Sequence, residues 1–290
     1  MKSEAISNPD RAEVLVHALP YIQQYRGKTI VIKYGGNAML NNELKSAVIE
    51  DLILMFCVGI RVVLVHGGGP EIEALLQKTG KESRFVNGLR YTDEETMDIV
   101  QMVLCGKTNK DITGLIEQAG GRAIGLCGID GSMLKARRIE NGDLGLVGEI
   151  EEVNIPVLNS VLDTPAIPVI SPVASGTGDD AGHSLNINAD IAAAKIAAAL
   201  RAEKLVLMTD VQGILRNVQD PQSLVKFASR AELVQMKKDG ILSKGMIPKA
   251  DCCCLALDGG VRSAVIIDGR LPHAILIELF TDEGIGTMIT

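Results

Sequence analysis

Six short apolar runs, rich in β-branched residues, alternate with amphipathic helical patterns along most of this chain, and that alternation leaves few architectures open. The runs are TIVIKY (29–34), RVVLVH (61–66), RAIGLCG (122–128), AIPVISP (166–172), KLVLMTD (204–210) and RSAVIID (262–268). Strands that are apolar on successive residues need cover on both faces, and helical crossovers between them permit parallel neighbours. The expected fold is therefore α/β, a three-layer α/β/α sandwich around a mainly parallel central sheet. At 290 residues the chain exceeds what one core needs, so one large α/β domain or two lobes sharing a sheet is expected.

The helical segments between the runs are NELKSAVIEDLILMFCVG (42–59), PEIEALLQKTG (70–80), TDEETMDIVQMVLC (92–105), NADIAAAKIAAAL (188–200), SRAELVQMKKDG (229–240) and PKADCCCLALDGG (248–260). Thr92 with Glu95, and Ser229 with Glu232, have capping-box spacing, and Gly80, Gly120 and Gly240 stand where helices would stop. Two stretches, 139–160 and 171–188, break the rhythm and read as hairpin or lid segments over the carboxyl ends of the strands. Ahead of the first strand, Asn8 reads as a helix cap with Pro9 in the first helical position, and Pro20 predicts a kink. The stripe Val14, Leu15, Ala18, Leu19, Ile22 and Tyr25 must be covered by its own lobe or by another subunit.

A net charge of −7 argues against a nucleic-acid or anionic-membrane surface. No secretory leader pattern is present, and the longest apolar stretch is interrupted by Lys195 and Arg201, so a soluble, cytoplasmic protein is expected. The six cysteines form no C-x-x-C pair, which suits buried, reduced thiols rather than a zinc or redox motif.

Two phosphate-binding motifs fail on inspection. Gly-Lys-Thr occurs at 27–29 and 106–108, but a P-loop needs glycine where Ile22 and Gln101 stand. GTGDDA (176–181) matches a dinucleotide fingerprint yet opens no helical pattern. What remains is a pair of glycine-rich strand ends, Lys33-Tyr34-Gly35-Gly36-Asn37 and His66-Gly67-Gly68-Gly69, each followed by a helix start. Bare backbone amides, a helix dipole and a mobile lysine charge together suit an anion such as a phosphoryl group. Each residue also has a plainer reading. Lys249 could be a solvated first-turn lysine, Asp190 an ordinary N-terminal helix carboxylate, and Arg90 a surface partner of Asp93 or Glu94. His66 could simply pack or hydrogen-bond at the turn.

Six segments, VIKYGGNAM (31–39), VVLVHGGGPEI (62–72), FVNGLRYTD (85–93), NINAD (186–190), KLVLMTDVQGIL (204–215) and GMIPKA (245–250), resemble the amino-acid kinase family in order and spacing, from Thr29 to nearly the end of the chain. Within that family the chain is similar to the members that phosphorylate the side-chain carboxylate of N-acetyl-L-glutamate with ATP and Mg2+ in arginine biosynthesis. The resemblance implies an N-lobe (29–200) for acetylglutamate binding and dimerisation, and a C-lobe (201–290) for ATP and arginine. It gives Lys33, Lys249, Asp190 and Gly36 catalytic roles, with Asp190 orienting the lysines. Gly68, Gly69, Arg90 and Asn186 would hold the amino-acid substrate. Asp210, Val211, Gly213, Ile214, Leu215, Ile241, Leu242 and Ser243 would hold ATP, and no protein side chain would ligate the metal.

The N-terminal helix (1–28) and HAILIELFTDEGIGTMI (273–289) resemble the arginine-inhibited members, hexamers built as trimers of dimers. That implies an effector site near Lys204, His273, Glu278 and Glu283, and some relatives also bind a PII-type signalling protein. Rival expectations are an N-acyl-aminoadipate kinase of lysine biosynthesis and a noncatalytic arginine-sensing subunit; the latter would be expected to lose Lys33, Asp190 or Lys249. Departures from the family pattern are few: Ala174-Ser175 in the second lid segment, and Thr108 at a usually apolar helix position.

Overall fold

The computed structural model describes residues 7–140, 143–242 and 245–290. Helix α1 (Asn8–Tyr25) is capped by Ser7, whose hydroxyl accepts the Asp10 backbone N–H; Asn8 is already helical, one residue earlier than expected. The helix continues through Pro20 to Tyr25 as one element. Strand β1 (Thr29–Tyr34), helix α2 (Asn42–Cys57), strand β2 (Arg61–His66) and helix α3 (Gly69–Lys78) follow. A small hairpin, β3 (Phe85–Val86) and β4 (Leu89–Arg90), leads to α4 (Glu94–Gln101). Next come α5 (Asn109–Gln118), β5 (Ala123–Cys127), β6 (Leu134–Arg138), β7 (Gly148–Val153) and α6 (Ile155–Leu162). Strands β8 (Ile167–Ser171), β9 (Val173–Gly176) and β10 (Ser184–Asn186) precede α7 (Ala189–Ala199) and β11 (Lys204–Thr209). The chain ends with β12 (Phe227–Ala228), α8 (Arg230–Lys238), α9 (Ile247–Asp258), β13 (Ser263–Asp268), α10 (Ala274–Phe280) and β14 (Thr287–Ile289).

Eight strands form the central sheet in the order β12-β14-β13-β11-β1-β2-β8-β5, parallel except for the β13–β14 pair. Alternate residues of each inner strand feed opposite layers. Val31, Val63, Leu205 and Ile266 pack with α3, α4, α7 and α9, whereas Ile30, Ile32, Leu64, Val206 and Val265 pack with α2, α5 and α10. That division is the period-2 geometry of a strand read in three dimensions. Strand β5 departs from the expected burial on both faces: it is the edge of the sheet and only half covered. Among the described residues, no helix is long and apolar enough to cross a membrane.

Four strands, β10-β9-β6-β7, make a second sheet; β6 lies just ahead of, and β7, β9 and β10 within, the two segments that broke the sequence rhythm. Within the first of them, Ile155–Leu162 is helix α6 rather than hairpin, with Pro156 in its first turn, where a missing N–H costs nothing. The expected Thr92–Glu95 capping box is also displaced: Asp93 caps α4, its carboxylate accepting the Thr96 N–H at 2.8 Å. The Ser229–Glu232 box forms as expected.

The chain passes from β1 to β2 on one side and returns to the other side of β1 only at β11, so the strand order reverses at β1. Open α/β sheets bind ligands outside the carboxyl ends of their strands at such a reversal. Lys33, His66 and Thr209 all stand at those ends, and β1–β11 pairing joins the segments on either side of residue 200 in one sheet.

Helix α4 does not stop at Cys105. It runs through a π-helical segment, Met102–Thr108, directly into α5. Gly106 and the wider turn shift the apolar phase, which is why a 3.6-residue pattern breaks off there. His66 and Asn109 pin this segment to the sheet. The fully buried imidazole has Nδ1 2.8 Å from the Gly67 carbonyl and Nε2 3.2 Å from the Asn109 amide nitrogen. The same Asn109 nitrogen donates to the carbonyls of Leu126 and Val169. That network assigns a neutral ring protonated on Nδ1, and burial pushes its pKa down to about 4.

A histidine held neutral stabilises the fold fully above its unfolded pKa near 6.5, and the contribution is lost as pH falls towards 4. The stability difference between wild type and His66→Gln, measured by urea melts, should shrink by about 3 kcal/mol on going from pH 7 to pH 4. A difference independent of pH would show that the imidazole is not held neutral.

Candidate active site

Lys33 shares the face of β1 that carries Val31, so its side chain leaves the strand end on the side of α7. There Asp190 occupies the first turn of α7, behind the cap residue Asn188, whose side chain accepts the Asp190 and Ile191 N–H groups at 2.9 and 3.2 Å. Lys249 approaches from the first turn of α9. The Lys33 Nζ lies 3.0 Å from Asp190 Oδ1 and the Lys249 Nζ 2.8 Å from Oδ2, so one carboxylate is bracketed by two ammonium groups. All three side chains are mostly buried, with 12%, 12% and 22% of their surfaces exposed for Lys33, Asp190 and Lys249. Burial alone would raise the Asp190 pKa, but the two lysine charges outweigh it and hold the carboxyl below its usual range. The triad therefore carries one net positive charge at the mouth of the sheet. Lys249 is ion-paired rather than solvated, and Asp190 is a first-turn helix carboxylate that also pairs with both lysines.

The glycines around the triad have distinct physical reasons. A Cβ on Gly35 would come within 3.0 Å of the Lys33 Nζ. Gly36 has φ of 72°, and a Cβ there would sit 2.9 Å from both carboxylate oxygens of Asp210. In the second loop, a Cβ on Gly68 would strike Leu104 of the π-helical segment at 2.5 Å, so this residue is bare because protein packing demands it. A Cβ on Gly67 would make ordinary contacts and one on Gly69 would meet nothing within 4 Å. The bareness of Gly69 is not explained by the protein itself; it opens on a cavity.

That cavity, of ≈ 440 Å³, is lined by Gly67, Gly68, Gly69, Arg90, Asn186, Asn188 and Ala189 among others, so four sequence candidates meet on one wall. Arg90 pairs with neither Asp93 nor Glu94. Its Nη1 lies 2.9 Å from Glu73 Oε2 and also reaches the Ser83 hydroxyl, its guanidinium lies 4.7 Å from the centre of the Phe85 ring, and Nη2 lies 3.4 Å from the Gly69 carbonyl. Asp93 is taken instead by Lys81 at 2.7 Å. Ser83 and Arg90 together hold the Glu73 carboxyl below its usual range. Glu73 was not foreseen; nothing in its spacing from Arg90 marks the pair, which the small hairpin brings together. Asn186 donates to the Thr92 hydroxyl at 3.1 Å.

A second cavity, of ≈ 240 Å³, lies beyond the triad and is lined by Val211, Gly213, Ile214, Leu215, Ile241 and Leu242. Thr209, Val218, Gly245, Met246 and Lys249 complete its wall. Lys249 thus touches both this cavity and Asp190. Asp210 is not on that wall and stands against Gly36 instead, and Ser243 lies outside the described residues.

Lys204, Glu278 and Glu283 line a third cavity of ≈ 200 Å³, with Tyr21 and Tyr25 of α1 and Asp282. The Lys204 Nζ is 3.7 Å from Glu278 and lies over the Tyr25 ring at 5.7 Å. His273 is not on that wall: its Nδ1 lies 2.7 Å from the fully buried Asp51 of α2, whose carboxyl burial pushes up to about 6.

The two glycines yield opposite expectations. Gly68→Ala should lower stability by about 1–3 kcal/mol through overpacking against Leu104. Gly69→Ala should leave stability unchanged or raise it by a few tenths of a kcal/mol, while weakening whatever the cavity binds. Thermal melts with ligand titrations check both; equal destabilisation by the two would contradict the assignment.

Residues 28–268 match the model of the amino acid kinase family. An acetylglutamate kinase from Clostridium beijerinckii is 55% identical over 98% of this chain and 99% of its own length. An N-acetylglutamate synthase from Neisseria gonorrhoeae, solved with coenzyme A and N-acetyl-glutamate, superposes with a TM-score of 0.83 at 29% identity, covering 96% of this chain and 63% of the synthase. The same synthase solved with coenzyme A and L-arginine superposes at 0.78 with 29% identity, over 96% of this chain and 65% of that one. By sequence along almost its whole length and by the architecture of its central sheet, this chain belongs to the amino acid kinase family.

Proposed function

We propose that this protein transfers the γ-phosphoryl group of ATP to the side-chain carboxylate of N-acetyl-L-glutamate, forming an acyl phosphate. The observation that carries the reading is the Lys33–Asp190–Lys249 triad, with its net positive charge, between a larger cavity carrying Arg90 and a smaller apolar one. The near-full-length similarity to an acetylglutamate kinase supports the choice of substrate.

The acceptor carboxylate is already an anionic nucleophile at neutral pH, so its chemistry requires no general base. Catalysis then reduces to positioning and to stabilising charge on the transferring group. Arg90 would pair with the substrate α-carboxylate through its planar fork, exchanging part of its contact with Glu73. Asn186 and the amides of Gly68 and Gly69 would hold the acylated amino acid, since first-turn N–H groups have no partner within α3. Lys33 and Lys249 would meet the phosphoryl oxygens from two sides, with Gly36 donating its backbone N–H. Asp190 would fix both ammonium groups without touching the substrate. The adenosine would lie in the apolar cavity beside Val211, Ile214 and Leu242.

The donors around the triad are ammonium groups, backbone amides and a carboxylate already ion-paired. Such a set fits magnesium carried on phosphate oxygens rather than in a cage of protein carboxylates. When bound, the metal would neutralise phosphate charge.

The third cavity is proposed to take arginine as an inhibitor. Glu278, Asp282 and Glu283 suit a guanidinium and an α-amino group, and Lys204 suits a carboxylate. Helix α1 contributes Tyr21 and Tyr25 to that cavity and leaves Val14, Leu15, Val16 and Leu19 exposed. This arrangement supports a regulatory oligomer, such as a hexamer, in which the stripe is covered by another subunit. His273 is left out of the proposed arginine ligands because Asp51 occupies it.

Hydroxylamine trapping with ATP and magnesium should yield a hydroxamate with N-acetyl-L-glutamate and not with glutamate, and arginine should suppress it. Product only with N-acetyl-aminoadipate would move the substrate to the longer homologue. Deleting residues 1–25 should abolish arginine suppression while sparing catalysis; suppression retained in the truncated protein would rule out the role given to α1.

A further inference from the structure

The cysteine spacing shows no redox motif, yet the fold brings two thiols together. Cys127, at the carboxyl end of β5, is in register with Ser171 of the parallel neighbour β8, so both side chains project to the same side of the sheet. The Ser171 hydroxyl in turn lies 3.3 Å from Cys105 Sγ, in the π-helical segment. Cys105 and Cys127 thus flank the Ser171 hydroxyl from two elements, close enough for each to shift the other's titration. Ser171 is fully buried, but both cysteines are partly open to solvent. The pair is thus partly exposed on a buried support.

We propose that Cys105 and Cys127 are a reversible thiol–disulfide site, oxidised by low-molecular-weight disulfides, that controls the wall of the larger cavity. Two neighbours give the site its leverage. Leu104, adjacent to Cys105, lines that cavity and is the side chain against which Gly68 is bare, and Pro172, adjacent to Ser171, lines it too.

The chemistry balances with the disulfide as oxidant. The Cys127 thiolate attacks one sulfur of RSSR, breaking its S–S bond to leave a mixed disulfide and one RS−. Cys105 gives its proton to solvent and attacks Cys127 Sγ, closing the protein disulfide and expelling the second RS−. With the thiolates reprotonated, two protein thiols and one RSSR become one protein disulfide and two RSH. The neighbouring Cys105 thiol favours the Cys127 thiolate and lowers its pKa, which suits attack on a disulfide. The Cys127 neighbour, together with burial, raises the Cys105 pKa, which makes it the second thiol to react. A covalent S–S bond is much shorter than a thiol contact, at about 2.05 Å. Closure therefore draws the π-helical segment towards β5 and carries Leu104 with it.

The effect on substrate affinity rests on the function proposed above, whereas the cross-link does not. The full chain, reduced or treated with oxidised glutathione, is compared by intact mass, peptide mapping and kinetics. The expected outcome is loss of two hydrogens with no glutathione retained, a 105–127 link, and a several-fold rise in KM for N-acetyl-L-glutamate that dithiothreitol reverses. Cys105→Ser and Cys127→Ser should each keep the reduced-state KM and lose the response, and either variant alone suffices. A stable glutathione adduct, a link between other cysteines, or a 105–127 link with unchanged KM would overturn the proposal. Absence of activity in the reduced protein would instead overturn the kinase reading, leaving mass and mapping to judge the dithiol.

Discussion

The carboxylate of Asp190, held between the ammonium groups of Lys33 and Lys249, is the interaction on which the rest of the site depends. Two like charges brought this close in a mostly buried crevice would repel each other if left alone. One carboxylate between them removes the repulsion and keeps a single net positive charge. Position matters as much as charge: Asp190 sits in the first turn of α7, where unpaired amides and the helix dipole favour an anion. Because the three residues come from β1, α7 and α9, the ion pairs also bind the segments before and after residue 200 across the crevice. Breaking such an arrangement on one side leaves an uncompensated buried charge, so its members stand or fall together.

The scaffold serves this geometry by simple means. A sheet whose strand order reverses at β1 opens a crevice at the strand ends, and the glycine loops after β1 and β2 let backbone approach it. Neighbouring glycines are bare in different surroundings. Gly68 is fixed by Leu104, whereas Gly69 faces open space. His66, which is kept neutral, contributes no charge; it ties the loop to Asn109 and so to the π-helical segment. That segment touches the cavity through Leu104, the edge strand β5 through the adjoining Asn109 and Ser171 through Cys105.

Much of this was legible before the structure because the signals were local. Strand ends, glycine loops and the first turns of α7 and α9 are set by short-range chemistry, and the motif order placed Lys33, Asp190 and Lys249 as one set. Residues brought together by distant segments were not legible. The pairing of Arg90 with Glu73 depends on how the β3–β4 hairpin folds over α3, and the Asp51–His273 contact joins α2 to the start of α10. The thiol pair depends on the register of β5 against β8. The π-helical turn was missed because it changes the period on which helix reading relies, and Asp93 displaced Thr92 as cap because the carboxylate reaches the Thr96 amide. Such features follow from tertiary packing that no window of sequence contains.

The most direct measurement is the steady-state turnover of Asp190→Asn, with both substrate KM values and a thermal melt on the same preparation. Asparagine keeps the shape and removes the charge that fixes the two lysines. The expected result is a fall in kcat of about 10²–10³-fold, the size lost when a preorganised charge-stabilising group is removed, with little change in either KM and a protein that still melts cooperatively. A folded variant that retains wild-type kcat would show that Lys33 and Lys249 do not need Asp190, and the central role given to that carboxylate would be wrong.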